Sequence, residues 1–457
     1  MKSKLFLFLL VILGSVLYGG TDPNLELLGQ LWFDSYYSGS DTSGGSDVWG
    51  YTTPEGEEYA IMGVYEGVAV IRASDLEVNN IIPGPQQGDY WFHRDIKTYG
   101  HYAYVTNEMY GTNAGLMILD LQYLPDSVRF VGSYEISPDI RSHNLSIDVA
   151  TGFAYIEEPN GWLILDLADP ENPLDVGIIS APGHDIMVRN DTAFIAEGGG
   201  GKFSIWNVTS KSHPQELVSV NSPTNGYLHN IWPTEDGNYV LTTEETNYRT
   251  VKIWDIADLN NVNLVAEYLA PNNLAHNVHV EGDYAFISHY TSGVVVLDIH
   301  DPTDPIEVAI YDTYGLNDNP EFAGCWGVFP HTANGMVFIS NIEGYLNVFQ
   351  FHADASDVGE EIVLPRALAL HQNYPNPFNP ITTLRYDLPE NSLVNIIIYD
   401  LLGRQVKTLV NTTQDAGFKS VIWNATNDYG KPVSAGVYLY QIQAGEFVQT
   451  KKMVLLK

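Results

Sequence analysis

Cysteine is almost missing from this chain of 457 residues: Cys325 stands alone. An internal disulfide is therefore excluded, and buried apolar cores must hold the fold. Positive charge is scarce as well. Twenty-one Lys and Arg face 56 Asp and Glu, a net of −35, a balance that repels nucleic acid and anionic membranes and favours cations and basic partners. Long apolar runs are wanting too. The run from Leu5 to Leu17 in MKSKLFLFLLVILGSVLYGG is short for a bilayer span, follows two lysines and ends in small residues. That pattern predicts a secretory signal peptide over residues 1–20 and no transmembrane span after it. With no cysteine behind the run, a lipid anchor at that point is excluded. G-x-S-x-G is absent, so no serine-hydrolase elbow is expected.

What is abundant is aromatic and repetitive. Aromatics make up 12% of the chain, with 29 tyrosines, too many for a disordered polypeptide. One phrase returns: FHRDI at His93, SHNLSI at His143, GHDIMV at His184, LHNIW at His229 and LAHNVHV at His276. Each opens an alternating strand, and a second strand such as YAYV or YAFI follows. A third strand comes next, in turn GVAVIR, GLMILDL, GWLILDL, KFSIWNV, VKIWDI, GVVVLDI and GYLNVFQ. Trp49 and Trp326 take the histidine's place in the first and last copies. Four short strands per unit, repeated seven times every 41–50 residues, predict a seven-bladed β-propeller over residues 21–352. No blade buries both faces alone, so the ring must close. The orphan strand in NLELLGQLWF is expected to complete the last blade.

The segments LMILD, LILD and VVLD, followed by DPENP or DPTDP, resemble LVIVD repeats. The whole ring resembles secreted bacterial propellers of the choice-of-anchor type B group, a likeness that implies a fold and an extracellular life but no activity. After an acidic linker over residues 353–370, the pattern changes to short alternating strands with Gly, Asn and Pro turns. These predict a small Ig-like sandwich. Its motifs YPNPFNP, YDLLGRQV, SAGVYLYQI and KKMVLL resemble the C-terminal sorting domain of the type IX secretion system. That likeness, over residues 371–457, implies the secretion machinery as a partner, and release or attachment at the cell surface. The chain is read as all-β throughout.

Equivalent residues of successive blades lie on a circle. His93, His143, His184, His229 and His276 should therefore converge on one mouth, with Trp49 and Trp326 at the seam. The loop after each second strand repeats an acidic group, Glu66, Glu108, Glu158, Glu197, Glu244 and Glu343, with His289 in the blade of His276. Three readings stay open. The mouth binds an extracellular ligand or partner without chemistry, which is the leading expectation and leaves no residue assigned as catalytic. Alternatively, the five histidines hold a divalent metal in a lyase, hydrolase or oxygenase, with Glu108 or Glu197 as general base. In the third, each His and its following Asn or Asp only satisfies loop backbone between blades. Asp95, Asn144, Asp185, Asn230 and Asn277 are candidates for orienting the imidazoles from behind. Strict alternation puts His276 and His279 on opposite faces. The glycines of EGGGGKFS lack the Ser or Thr of a phosphate loop, Phe203 standing there instead. Asp41 and Asp47 are expected in a loop before the first blade, and Cys325 as a packed apolar residue.

Overall fold

The computed structural model describes residues 22–456, apart from 23, 39–40, 88–92, 136–141, 272–273, 317–318, 354–367, 371–372, 374–375, 377, 379–381, 390, 415–416, 429–430 and 446. The segment expected to be a signal peptide and most of the expected linker lie outside the described residues. Contacts divide the chain into two units, Met1–Asp357 and Val358–Lys457.

The first unit is a ring of seven four-stranded antiparallel sheets. Their first strands are Gly45–Thr52, Ile96–Tyr99, Leu145–Asp148, Asp185–Arg189, Leu228–Pro233, Val278–Glu281 and Cys325–Phe329. These seven lie side by side in a closed circle, the last against the first. In blades one to six, the strands then follow in chain order outward from the axis. In the last blade the outer position is taken by Leu25–Trp32, which pairs antiparallel with Tyr345–Phe351. Asn24 and Asp22 fasten that strand to the neighbouring blade, through the Val308 carbonyl and the Ile310 N–H.

Period-two alternation explains how strands of about five residues hold such a ring. In the second blade, Ala103 and Val105 pack towards the first blade, whereas Tyr102 and Tyr104 pack towards the third. Every interface between neighbouring blades has its own buried cluster made in this way. Each large aliphatic or aromatic side chain buried there contributes roughly 1.5–3 kcal/mol. Cys325 belongs to one of these clusters, fully buried, and burial pushes its thiol well up.

The first strands are not regular. Their pairing with the second strand shifts by one residue between Gly45 and Val48, Leu228 and Ile231, and Cys325 and Gly327. In the sixth blade the His276 N–H and the Asn277 carbonyl both pair with Ser288. A hydroxyl on the second strand fills the gap: Thr106 accepts from Asp95 N, Thr243 from Asn230 N, Ser288 from Asn277 N and Ser340 from Gly327 N. Such bulges reset the alternation. His276 and His279 consequently both line the axial channel, not opposite faces.

The second unit is a sandwich. One sheet holds Ala369–Leu370, Thr382–Leu388 and Gly417–Trp423, and the other holds Gln405–Gln414, Ser392–Asp400, Gly436–Ala444 and Phe447–Leu455. Leu384, Tyr386 and Trp423 from one meet Ile396, Ile398, Tyr440 and Met453 from the other in a single core.

Candidate functional site

The bulge residues place a circle of rings across the axis. Centroid separations run His93–His143 5.3 Å, His143–His184 5.0 Å, His184–His229 4.2 Å and His229–His276 4.2 Å. The circle closes through Trp326, 4.1 Å from His276 and 4.4 Å from His93. Six rings serve seven blades. The missing member belongs to the first blade, whose equivalent position is Ser46 and not Trp49. The Ser46 hydroxyl bonds the backbone of Arg94. In the second blade Arg94 holds the aligned position, but it turns outward to the Val64 and Pro85 carbonyls. His93, one residue earlier, fills the circle in its stead.

Backbone carbonyls, not the following Asn or Asp side chains, orient most of these imidazoles. The Nδ1 atoms of His184, His229 and His276 meet the carbonyls of His229, His276 and Trp326 at 3.2, 3.1 and 2.6 Å. A carbonyl only accepts, so each Nδ1 carries the proton and each neutral ring keeps a bare Nε2 lone pair. Burial, reinforced by neighbouring imidazoles, lowers His184 to about 3 and takes His229 and His276 well below the usual range. The residues after the histidines stitch blade to blade. Asp95 accepts from Leu145 N at 2.8 Å, Asn144 donates to the His184 carbonyl at 2.5 Å, and Asn230 donates to Asp185 at 2.6 Å.

The acidic loops divide. Glu108 joins the circle, with His143 Nδ1 at 2.9 Å and His93 Nδ1 at 3.2 Å. Burial alone would lower His143, but the hydrogen bond and charge of Glu108 override it and raise the ring to about 9. The two imidazoles in turn hold Glu108 well below the carboxylate range against its burial. The remaining predicted acids do not converge. Glu66 is exposed, Glu197 pairs with Lys202 at 3.0 Å, and Glu343 receives the Gly324 N–H at 3.1 Å. Glu244 is buried against Lys252 at 3.2 Å, and Glu158 likewise bonds no ring histidine. Their neighbours do the work instead. Glu157 accepts the backbone N–H groups of His143 and Asn144. Glu245 lies 3.8 Å from His229 Nε2 and receives the Tyr290 hydroxyl; burial raises it to about 7. His289 is fully buried, and neither of its ring nitrogens has a hydrogen-bond partner.

Three residues further along the first strands, roughly 10 Å down the axis, lies a second layer that the repeat phrase did not announce. Trp49 is here with Trp232, His279 and Phe329, each three positions beyond its blade's circle position. Trp232 stacks on His279 at 4.0 Å and 19°, and on His331 at 5.5 Å and 15°. Trp49 meets His279 edge-on and Phe329 at 4.8 Å. Lys97 lies against this aromatic wall, 4.3 Å over Trp49, bonded to Asp95 and 3.6 Å from Asp47. Asp47 is therefore a buried channel residue and not part of a loop ahead of the blade. Burial and the Asp95 charge raise Asp185 to about 7. Circle and layer enclose a cavity of about 550 Å³ that reaches the turns at Gly100, Ala150 and Asn190. Glu108, Glu157, Glu245, Tyr227 and Tyr290 do not line it; they stand on the other side of the circle.

Two groups offer donor atoms for a cation among the described residues: His93, Glu108 and His143, and His229, Glu245 and His276. In each group the donor atoms lie within 4.8 Å of one another.

Comparison with known families fits this architecture. Residues 93–134 and 274–313 match the LVIVD repeat, and residues 372–456 match the secretion system C-terminal sorting domain. This chain carries LVIVD repeats and a type IX sorting domain. No curated protein matches it. The repeats account for the β-propeller, and the sorting domain marks the protein for export to the cell surface or the extracellular space. No described helix is long and apolar enough to cross a membrane.

Proposed function

We propose that this exported propeller binds a small neutral or amino sugar in the axial chamber, without chemistry. The observation that carries the reading is the pairing of aromatic and charged side chains. Trp49, Trp232 and His279 line the same cavity of about 550 Å³ as buried Asp95 and Asp185 and half-buried Lys97. Stacked rings receive the apolar face of a pyranose, and fixed carboxylates accept from its hydroxyls. Lys97 is already paired with Asp95 and Asp47, so it is not free to hold an anionic ligand. The volume lies within the range of small-molecule sites. The partner contacts of the machinery fall to the sorting domain, and the chamber serves the ligand.

Tryptophan fluorescence of the full chain, titrated with a panel of mono- and disaccharides, tests this. Quenching that saturates, and that weakens at least tenfold in Trp232→Ala while the fold is retained, is the expected result. Unchanged fluorescence across neutral and amino sugars removes the proposal.

A further inference from the structure

The two donor groups on the circle contain the same residue types, two histidines and a glutamate, but are in opposite chemical states. In the first, Glu108 bonds both imidazoles through their Nδ1 atoms, so an ion pair already satisfies the acid. In the second, both Nδ1 protons are spent on backbone carbonyls. The Nε2 atom of His276 is buried, 1% of that residue being exposed, and has no hydrogen-bond partner. Glu245, 3.8 Å from His229 Nε2, faces two neutral rings and is held by the Tyr290 hydroxyl.

From this geometry we infer that His229, His276 and Glu245 form a site for one divalent transition cation. The supporting shell is complete: the carbonyls of His276 and Trp326 fix the two rings in the tautomer that bares Nε2, and Tyr290 fixes the carboxylate. Donors bound to one ion at about 2.1 Å stand roughly 3–4.2 Å apart, so His229 and Glu245, 3.8 Å apart, already lie within range, and a donor atom of His276 lies within 4.8 Å of both. Two imidazoles and one carboxylate suit zinc, cobalt, manganese or iron more than calcium or magnesium. The cation supplies the positive charge that Glu245 lacks. Fewer than four protein donors leave a coordination position for water or a ligand atom. His229 and His276 also line the chamber, whereas Glu245 does not; the site stands or falls without sugar binding.

Cobalt(II) is the probe, titrated into tag-free full chain that has been stripped with a chelator. One ion per chain with visible d–d absorption is expected. Binding should weaken at least 100-fold in Glu245→Gln and in His276→Gln, and about tenfold in Tyr290→Phe. Glu108→Gln should leave affinity unchanged. Near-UV circular dichroism keeps the comparison to folded variants, and the conservative Tyr290→Phe serves if a ring substitution unfolds the chain. No saturable binding, equal affinity in wild type and Glu245→Gln, or loss in Glu108→Gln with retention in His276→Gln each overturns the assignment.

Discussion

Two arcs of one circle carry the same kit, a pair of histidines and a glutamate, and settle their protons in opposite ways. Around His93, Glu108 and His143 the carboxylate bonds the imidazoles directly, and the charge is shared among them. Around His229, Glu245 and His276 the carbonyl of the next blade takes each Nδ1 proton before the carboxylate can. The difference arises in the backbone. His143 meets no carbonyl through Nδ1, while each later histidine reaches forward to its neighbour. Residue identity therefore does not fix the state of a buried histidine; the acceptor that reaches its Nδ1 first does.

The comparison breaks most visibly at Glu108. Glu108→Ala removes the partner of two enclosed imidazoles, and removing one member of a buried pair costs about 3 kcal/mol or more. Thermal unfolding near pH 6 should fall accordingly. A loss under about 1 kcal/mol would show that the arc is not an ion pair at all.

A smaller effect follows from pH. His143 is raised to about 9 from an ordinary value of 6.5. Its contribution is complete below 6.5 and vanishes as pH rises through 9. Glu108 is lowered, so its share is complete above the ordinary glutamate value and is lost on acidification. Together they stabilise the fold most in mildly acid solution and lose about 2–3 kcal/mol on passing to about pH 9. Asp185 and Glu245, each raised to about 7, push in the same direction, because their ionised forms cost stability as pH rises to that point. Chemical denaturation against pH reads this decline, and His143→Gln should remove the part above about pH 7.5.

Much of this architecture is legible in the sequence, because the repeat writes it seven times. The tail motifs and the five histidines stand in plain view. The second ring partner of each blade does not. Counting from the acidic residues selects Glu158 and Glu244, which point away, over Glu157 and Glu245, which face the circle. A fixed offset from the histidine is the cause: Glu157 lies 14 residues after His143 and Glu245 16 after His229, and neither keeps the offset of 15 that selects Glu158 and Glu244. A usable signal does exist in the hydroxyls that fill the bulges. Counting two residues past Thr106, Thr243 and Ser288 arrives at Glu108, Glu245 and Tyr290, the groups that reach the circle region. The repeat phrase also placed Trp49 at the seam, three residues past the circle position at Ser46, when its true level is that of Trp232 and His279. Lys97 escaped notice because a lone lysine in a strand reads as surface until Asp95 and Asp47 close around it.

The finest test of the contrast is Glu245→Gln in chelator-treated protein. Its carboxyl is raised to about 7 by burial, so in the folded state ionisation is resisted, while in the unfolded chain it is not. The cost of that mismatch is absent at acid pH, grows as pH climbs from the ordinary glutamate value, and is complete above about 7. Glutamine keeps an oxygen for the Tyr290 hydroxyl and never ionises. At pH 8 the variant should therefore be more stable than wild type by about 1 kcal/mol, and at pH 5 indistinguishable from it. The sign is opposite to that at Glu108, although both substitutions remove a glutamate charge beside two histidines. Adding cobalt should reverse the order at pH 8, since only the wild type gains binding energy from the ion. If Glu245→Gln instead destabilises the metal-free protein at both pH values, the two arcs are alike and the carboxylate at 245 is already paired.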